Sequence, residues 1–269
     1  MPQRKRETPV YDNTPVVKYG GIYVKREDQF TVAGVNGGKA RAILTMLTSR
    51  HYKGVVTCGS RSSNQIEIVA AIAKHLGLPC RVHVASGEWT SEITFCANQG
   101  ASIIQHKPGY SSVIKARAKA DVAARKGWFE VPFGLQSLAG VACTANEVAR
   151  TLDNYEVPNK IFRRFVAVLG GGVTVAGITR GLYKVYGCLP PNLDIIGVQV
   201  GGDPKPTLRE FAAPGWEMRV TLVQSPLNYT DKHTATLPDG TPLDPFYEAK
   251  ALRYCKPGDL FWVVGRRPH

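Results

Sequence analysis

The segment FVAVLGGGVTVAG, residues 165–177, reads as an apolar strand, a turn of three glycines and the start of a helix. Such a turn presents free backbone N–H groups at the helix N-terminus, and its glycines let the backbone approach an anion closely. The segment therefore predicts a phosphate-binding loop, although an ordinary β–α turn without a ligand fits these residues equally well. It is not a Walker loop, because no Gly-Lys-Ser/Thr follows, and it is not G-x-G-x-x-G.

Strands and helices alternate on both sides of this segment, which predicts right-handed crossovers and a parallel sheet. The 269 residues, 43% of them hydrophobic, suffice for one large α/β domain or two lobes. We expect residues 201–242, rich in Gly, Pro and Thr, to form loops over the sheet edge. The other strands are predicted at Gly21–Lys25, Gly54–Cys58, Cys80–Val84, Ala101–Gln105 and Asp194–Val200. The helices are predicted at Lys39–Arg50, Asn64–Leu76, Ser91–Gln99, Ser112–Lys126, Ser137–Leu152 and Val175–Tyr186.

Lys39 follows two glycines at the first turn of a predicted helix, in the run GVNGGKAR at residues 34–41. A cation there is unfavourable by about 0.3–1 kcal/mol. The misfit disappears if the amine is neutral or bound in a Schiff base, for which a lysine of lowered pKa is a good nucleophile. A solvated lysine is the simpler interpretation of this feature alone.

A third turn follows the predicted strand GVVTC, in the run GSRSSNQ at residues 59–65. Ser63, Asn64 and Gln65 offer hydrogen-bond donors to a carboxylate or a phenolate oxygen. Helix capping by serine or asparagine is the common alternative.

The formal net charge is +13, and part of the basic excess forms short clusters at residues 4–6, 163–164 and 266–267. A strongly positive protein attracts polyanions, above all nucleic acid. No zinc finger, RNA-binding signature or long basic helix accompanies the charge. The charge is therefore a hint about a partner and does not predict a nucleic-acid-binding fold.

The cysteines and histidines are dispersed, without a C-x-x-C pair or a spacing that suits zinc, so no metal site is predicted. The N-terminal run MPQRKRETPV lacks an apolar signal region, and no apolar run is long enough to cross a membrane. We therefore expect a cytoplasmic protein without a membrane partner.

Several motifs together resemble the fold-type-II pyridoxal-phosphate enzymes, the tryptophan-synthase-β-like group. They are KRED, GGKARA, TCGSRSSNQ, AIAKHLGLPC, GGGVTVAG and LDPFYEAKA, and they extend over nearly the whole chain. The greatest similarity is to the aminocyclopropane-carboxylate deaminase and D-cysteine desulfhydrase branch. The resemblance implies an α/β fold of two lobes, with parallel or mixed sheets and flanking helices. It assigns residues 1–40 and 151–269 to a larger lobe and 41–150 to a smaller one, and implies a homodimer.

The resemblance also implies roles for individual residues. Lys39 would hold pyridoxal 5′-phosphate, Asn64 would bind the oxygen on its ring, and Ser63 and Gln65 would hold the substrate carboxylate. Tyr247 would lie over the cofactor as a second proton-transfer candidate, with packing against Phe246 as the competing role. Catalysis would thus fall to Lys39, Tyr247 and Ser63. The positions matched to the cofactor phosphate are Gly170, Gly171, Gly172, Val173 and Thr174.

The chain departs from the family pattern at Val264, where relatives place a Thr or Ser facing the pyridine nitrogen. A valine side chain cannot form that hydrogen bond. No Ser or Thr occurs between Asp259 and His269, so a small shift in register supplies no substitute. The departure affects the expected reaction type more than cofactor binding.

Three functions are consistent with these observations. The first is an enzyme that forms an external aldimine with an amino-acid-type substrate and breaks a bond at its α-carbon, as a lyase, deaminase or decarboxylase, with racemisation also open. In the second, motivated by the +13 charge, that amino acid is attached to nucleic acid, as in DNA hypermodification, including viral pathways. The third is a protein that binds the cofactor without catalysis, for which Val264 is the best argument.

Overall fold

The computed structural model describes residues 13–154 and 162–265. Its strands are β1 Val16–Tyr19, β2 Ile22–Arg26, β3 Thr31–Val32, β4 Val35–Asn36, β5 Gly54–Cys58, β6 Cys80–Ala85, β7 Ser102–His106, β8 Trp128–Val131, β9 Arg164–Leu169, β10 Asp194–Gln199, β11 Val220–Gln224 and β12 Asp259–Val263. Its α-helices are α1 Gly38–Thr48, α2 Asn64–His75, α3 Ser91–Asn98, α4 Ser111–Ala123, α5 Leu138–Asn154, α6 Val173–Tyr186, α7 Lys205–Phe211 and α8 Glu248–Ala251.

Two main sheets organise these elements. The larger has the order β1-β2-β12-β9-β10-β11 and is parallel except for the β1–β2 hairpin. The smaller has the order β7-β6-β5-β8 and is wholly parallel, and β3 and β4 form a short separate hairpin. The predicted α/β fold with parallel and mixed sheets and flanking helices is confirmed.

Both faces of the smaller sheet are covered. On one face, its side chains join those of α1, α2 and α3 in an apolar core. On the other, Val56 and Cys58 of β5 pack against Ile114 and Ala118 of α4. Because both faces are covered, β5 is buried at every position, including Thr57, instead of alternating between buried and exposed residues.

Helices α5 and α6 pack closely beside the larger sheet. A Cβ added at Gly177 would lie 2.4 Å from the Cβ of Thr144, and one at Gly181 would lie 2.5 Å from the Cβ of Val148. Glycines four residues apart lie on one face of a helix, so these two allow the backbones to approach. The contact fixes the helix that follows the glycine turn.

The prediction for residues 201–242 is partly wrong, because this region contains α7 and β11 as well as loops. Val220–Gln224 adds a parallel edge strand beside β10, which a short run within Gly- and Pro-rich sequence did not indicate. Strands β8 and β12 were also not assigned from the sequence. β12 lies between β2 and β9 and is buried throughout.

The predicted division into lobes at residues 40/41 and 150/151 stays a prediction. The strands of the smaller sheet fall within residues 54–131, and those of the larger sheet lie on either side of that range. Helices α1 and α5, which begin or end near those boundaries, pack against each other.

In the ranges 13–154 and 162–265, no helix is long and apolar enough to cross a membrane, and no group of His, Cys, Asp and Glu side chains suits a metal ion. The basic clusters at 4–6 and 266–267 lie outside the described residues. In the third cluster, Arg164 pairs with the buried Asp259 at 2.6 Å. Part of the basic excess therefore stabilises the larger sheet.

Candidate active site

The carboxyl ends of strands from both sheets open into one cavity of about 440 Å³. Ser60 follows β5 and Phe133 follows β8, whereas Gly170 follows β9 and Val264 follows β12. Ligands commonly bind at this edge of parallel sheets. Every residue predicted to form the site lines this cavity: Lys39, Ser63, Asn64, Gln65, Gly170, Gly171, Gly172, Val173, Thr174, Tyr247 and Val264.

The glycine turn leads into α6 as the sequence predicts. Gly172 has a φ of 92°, and its carbonyl accepts the first intrahelical hydrogen bond from the Ala176 N–H at 3.0 Å. The N–H groups of residues 173–175 precede that bond and therefore lack an intrahelical partner. A Cβ at Gly171 would lie 2.9 Å from Nε2 of Gln136, so a side chain here would fill the cradle. The turn fits a phosphate group.

Lys39 is held at the first turn of α1 by a close backbone contact. The Gly38 N–H donates to the Val264 carbonyl at 2.7 Å. Gly37 has a φ of 96°, and a Cβ there would lie 2.5 Å from the same carbonyl oxygen. The two glycines thus allow α1 to begin against the end of β12. Lys39 Nζ lies 5.6 Å from the centre of the Tyr247 ring.

Tyr247 forms a pair with Tyr229 at the cavity. Their hydroxyls are 2.9 Å apart, and their rings meet edge to face at 5.8 Å between centroids. The buried Lys250 supports this pair, because its Nζ donates to the carbonyls of Asn228 at 2.6 Å and Tyr229 at 3.2 Å. Burial lowers the pKa of Lys250. The Tyr247 ring therefore faces Tyr229 and Lys39 inside the site.

Asn64 offers a buried polar group to the cavity. Its Oδ1 is buried and has no hydrogen-bond partner within the described parts of the chain. Leaving such an atom unpaired costs about 1–3 kcal/mol. The neighbouring Ser63 caps α2, since its Oγ accepts from the Gln65 N–H at 3.3 Å. The capping interpretation thus holds for Ser63, while Asn64 suits a polar ligand.

Gln65 is directed partly into the protein. Its Nε2 donates to the Pro132 carbonyl at 2.8 Å and to Thr57 Oγ1 at 3.4 Å. Its side-chain donors are therefore used between β5 and β8 in this structure. The assignment of the substrate carboxylate to Gln65 stays a prediction, as do the roles of the other site residues.

Glu248 is a site residue that the sequence reasoning missed. Its carboxyl group lines the cavity, is 2% exposed, and accepts from the Val264 N–H at 3.1 Å. Burial, with the negative charge of Asp244, raises the pKa of Glu248 to about 8, against the opposing charge of Lys39. The available signal was an acidic residue directly after Tyr247, in the motif LDPFYEAKA.

A family model described as "Pyridoxal-phosphate dependent enzyme" matches residues 5–240. D-cysteine desulfhydrase of Serratia proteamaculans (strain 568) is 28% identical over 196 residues, which cover 66% of this chain and 57% of that protein. Biosynthetic L-threonine dehydratase of Mycobacterium leprae (strain TN) is 27% identical over 209 residues, which cover 74% of this chain and 46% of that protein. The chain thus spans about half the length of the curated relatives it matches.

Solved structures share the fold at lower identity. A homologue of ACC deaminase superposes with a TM-score of 0.76 at 22% identity, over 94% of this chain and 89% of that one. Threonine deaminase isoform 2 from Solanum lycopersicum has a TM-score of 0.65 at 16% identity, over 96% and 86%. Serine racemase from Dictyostelium discoideum has a TM-score of 0.64 at 14% identity, over 95% and 92%.

Proposed function

Because the chain belongs to the pyridoxal-phosphate dependent enzyme family, we propose that it is a lyase-type enzyme that breaks a bond at the α-carbon of an amino-acid substrate. One observation carries the proposal: Lys39, Asn64 and the glycine turn at 170–172 are far apart in sequence but line a single cavity. An amine, a buried amide and an anion-binding turn are the groups needed to hold the aldehyde, the ring oxygen and the phosphate of the cofactor.

The cofactor of this family is pyridoxal 5′-phosphate. When bound, it supplies a conjugated ring that stores the electron pair left at the substrate α-carbon. In our proposal Lys39 carries the aldehyde, Asn64 binds the ring oxygen, and residues 170–174 bind the phosphate. The buried, unpaired Oδ1 of Asn64 and the space that a Cβ at Gly171 would fill support this assignment.

Proton transfer falls to the groups around Lys39. The Lys39 amine would take a proton from the substrate α-carbon or return one. The Tyr247 hydroxyl, which is 2.9 Å from that of Tyr229, is the second proton donor or acceptor. Ser63 and Gln65 are assigned to orient the substrate carboxylate. Which α-carbon bond breaks depends on how they hold it against the ring.

We assign Glu248 to the ring nitrogen of the cofactor, to which the Val264 side chain can offer no hydrogen bond. The Glu248 carboxyl accepts from the backbone N–H of Val264, so it stands next to the position where relatives place a Thr or Ser. Burial and the charge of Asp244 raise the pKa of Glu248, which favours the protonated form of this carboxyl group in the ligand-free protein. A protonated carboxyl can donate a hydrogen bond to a neutral ring nitrogen.

The visible absorption spectrum of the purified protein tests the attachment. The wild type should show an absorption band of the bound cofactor, and Lys39→Ala should lose it. Lys18→Ala, which removes an exposed lysine on β1, is the matched control and should keep the band. Borohydride reduction and peptide mapping should place the cofactor on Lys39. A reduced cofactor on another lysine would refute the proposal.

Substrate choice is tested with a panel of free amino acids. It should include D-cysteine, L-threonine, L-serine and aminocyclopropane carboxylate, with keto acid, ammonia, sulfide and enantiomer conversion as readouts. We expect at least one substrate to shift the absorption band and to be consumed. Silence across a broad panel, with an intact band, would contradict an enzyme of free amino acids.

A further inference from the structure

Basic and aromatic side chains follow the strands of the smaller sheet, at the sheet edge that the cavity occupies. We call Arg61, Trp89, Lys107, Tyr110 and Lys115 the aromatic–basic rim. The first three lie in the loops after β5, β6 and β7, and Tyr110 and Lys115 lie at the start of α4. Because these strands are parallel neighbours, their following loops share the sheet edge at which Ser60 and Ser63 line the cavity.

Hydrogen bonds join these loops into one surface. The Thr90 Oγ1 donates to the Arg61 carbonyl at 2.7 Å, and Arg61 Nη1 donates to the Glu88 carbonyl at 2.9 Å. The Ser86 N–H donates to the His106 carbonyl at 2.6 Å, which links the second loop to the third. The rim is therefore a connected surface that adjoins the mouth of the cavity.

Two aromatic side chains of the rim face solvent. Tyr110 is 85% exposed and Trp89 is 57% exposed. Exposed apolar surface that clusters at a rim of polar residues typically marks an interaction site. Flat aromatic rings are also the platforms on which nucleic-acid bases stack, whatever the base sequence.

The charge of the rim is positive. The segment from residue 107 to residue 126 contains six Lys or Arg and one acidic residue, Asp121, giving a net charge of +5. Asp121 is itself paired with Arg81 at 2.6 Å and Arg125 at 3.0 Å. Within the described ranges, Lys107 and Lys115 form no ion pair with an acidic side chain. Their charge is left for a ligand.

Lys115 brings this charge to the wall of the cavity. Its Nζ lies 4.3 Å from the centre of the Phe133 ring, and Phe133 lines the cavity. The charge of Lys115 also reaches the cavity-lining Cys58, whose thiol has a pKa raised to about 11 mainly by burial. The positive surface is thus continuous with the site.

We propose that the aromatic–basic rim binds single-stranded nucleic acid across the mouth of the cavity. The lysines and Arg61 match the phosphates, and Trp89 and Tyr110 match the bases. An acidic protein segment would use the charges but would give no role to two exposed rings. This proposal concerns a surface outside the cofactor-binding residues and stands apart from the proposed function.

The probe is a fluorescein-labelled oligothymidylate of about 20 nucleotides, long enough for a site of about 4–16 nucleotides. Its binding to the cofactor-loaded protein is measured by fluorescence anisotropy between about 50 and 200 mM salt. The logarithm of affinity should fall linearly with the logarithm of salt, with a slope of about −0.7 for each phosphate neutralised. Stacking on Trp89 should quench part of the tryptophan fluorescence.

Single variants separate the two kinds of contact. Lys107→Gln and Lys115→Gln should each reduce the salt slope by about 0.7. Trp89→Ala and Tyr110→Ala should each weaken binding about 5-fold to 100-fold without changing the slope. Trp89→Phe should keep most of the affinity and lose most of the quenching. That last pair of results would not follow from a merely structural role of Trp89.

Two matched controls carry the same chemical changes elsewhere. Lys126→Gln removes a charge from the same basic segment beyond the C-terminal end of α4. The 13 residues of α4 span roughly 20 Å, more than the Debye length of about 10 Å at 0.1 M salt. Tyr183→Ala removes a 40%-exposed ring on α6. Both should leave the affinity nearly unchanged.

The proposal is overturned if the probe does not bind at low salt, or if the controls weaken binding as much as the rim variants do. It is also overturned if poly-L-glutamate displaces the probe equally well per charge while the Trp89 and Tyr110 variants bind normally, since that indicates an acidic-protein site. The absorption band, recorded on the same samples, reports separately on the proposed function. If the absorption band is present but the probe does not bind, only the proposal for the aromatic–basic rim is refuted. If the probe binds but the band survives Lys39→Ala, only the proposed attachment of the cofactor to Lys39 is refuted.

Discussion

Glu248 places a buried carboxyl group with a raised pKa at the cavity. A carboxyl group 2% exposed in an apolar wall is costly to ionise, and the nearby Asp244 raises the cost. The group is nevertheless kept at the cavity, bonded to the Val264 N–H. A buried ionisable group with a strongly raised pKa is typical of functional sites. We therefore expect its properties to appear in both stability and cofactor binding.

Glu248→Gln should change how stability depends on pH. Burial and the charge of Asp244 raise the pKa of Glu248 to about 8 in the folded protein, from an ordinary value of 4.5. Between these values the folded state binds more protons than the unfolded state, so the wild type loses stability as pH rises through this window. Glutamine does not titrate, so the free energy of unfolding of the variant should rise relative to that of the wild type between about pH 5 and about pH 9. Urea unfolding of the two apoproteins at both pH values measures the gain.

The control for this comparison is Glu210→Gln, which changes an exposed glutamate on α7. Its stability relative to the wild type should be the same at both pH values. An equally constant difference for Glu248→Gln would mean that Glu248 ionises normally in the fold.

At the scale of elements, the contact between α5 and α6 positions the glycine turn. Helix α6 begins directly after Gly172, so its N-terminal N–H groups are placed by the packing of its whole length. Gly177 and Gly181 set the distance to α5 because neither position leaves room for a methyl group. The phosphate-binding turn therefore depends on two glycines outside it.

Gly181→Ala should destabilise the protein even though alanine is the better helix former. Alanine gains about 1 kcal/mol in helix propensity. The added methyl would lie 2.5 Å from the Cβ of Val148, and overpacking of a tight core costs about 1–3 kcal/mol. We expect a net loss of stability in thermal unfolding and weaker cofactor binding in a fluorescence titration.

Gly109→Ala is the matched control, because its added Cβ would meet nothing closer than 3.9 Å and its φ is not positive. It should melt close to the wild type. If Gly181→Ala were as stable as this control, α5 and α6 would not be packed as tightly as the structure has them.

At the scale of the whole molecule, a buried set of charges connects distant segments. Glu147 of α5 accepts from Lys25 of β2 at 2.6 Å and from Arg41 of α1 at 2.9 Å. Arg41 also pairs with Glu27 at 3.1 Å. These four side chains are almost fully buried, so the charge of each is compensated inside the protein rather than by water. The network joins the larger sheet to the helix that carries Lys39.

Glu147→Gln should destabilise the protein by about 3–5 kcal/mol, because it removes a carboxylate that compensates the buried charges of Lys25 and Arg41. Burial opposes ionisation of Glu147, but Lys25 and Arg41 outweigh it and hold the pKa of Glu147 below its usual value. Urea unfolding near neutral pH measures the loss, with Glu210→Gln as the exposed control. A loss no larger than that of the control would show that the network contributes little.

The sequence predicted β5, β6 and β7 of the smaller sheet and the helices around them, since each is a local pattern bounded by glycine or proline, but it did not predict β8. The sequence did not predict β11, because Val220–Gln224 is short and lies among loop-forming residues. It did not predict β12, because the apolar run DLFWV fits a turn between loops as well as it fits a strand. Nothing local in the KRED motif indicates that its Lys25 and Glu27 meet Arg41 and Glu147 in the interior.

By itself, the sequence determined the three turns that meet at the cavity, because glycines before a helix, a capping serine and an alternation of strands and helices act over a few residues. Only the tertiary structure decided that Glu248 stands beside Val264, that Gln65 donates to Pro132, and that the rings of Trp89 and Tyr110 face solvent. The physical reason is separation along the sequence, because these contacts form only when strands far apart in the chain end at one sheet edge. The burial and the neighbouring charges that act on these side chains do not exist in the unfolded chain.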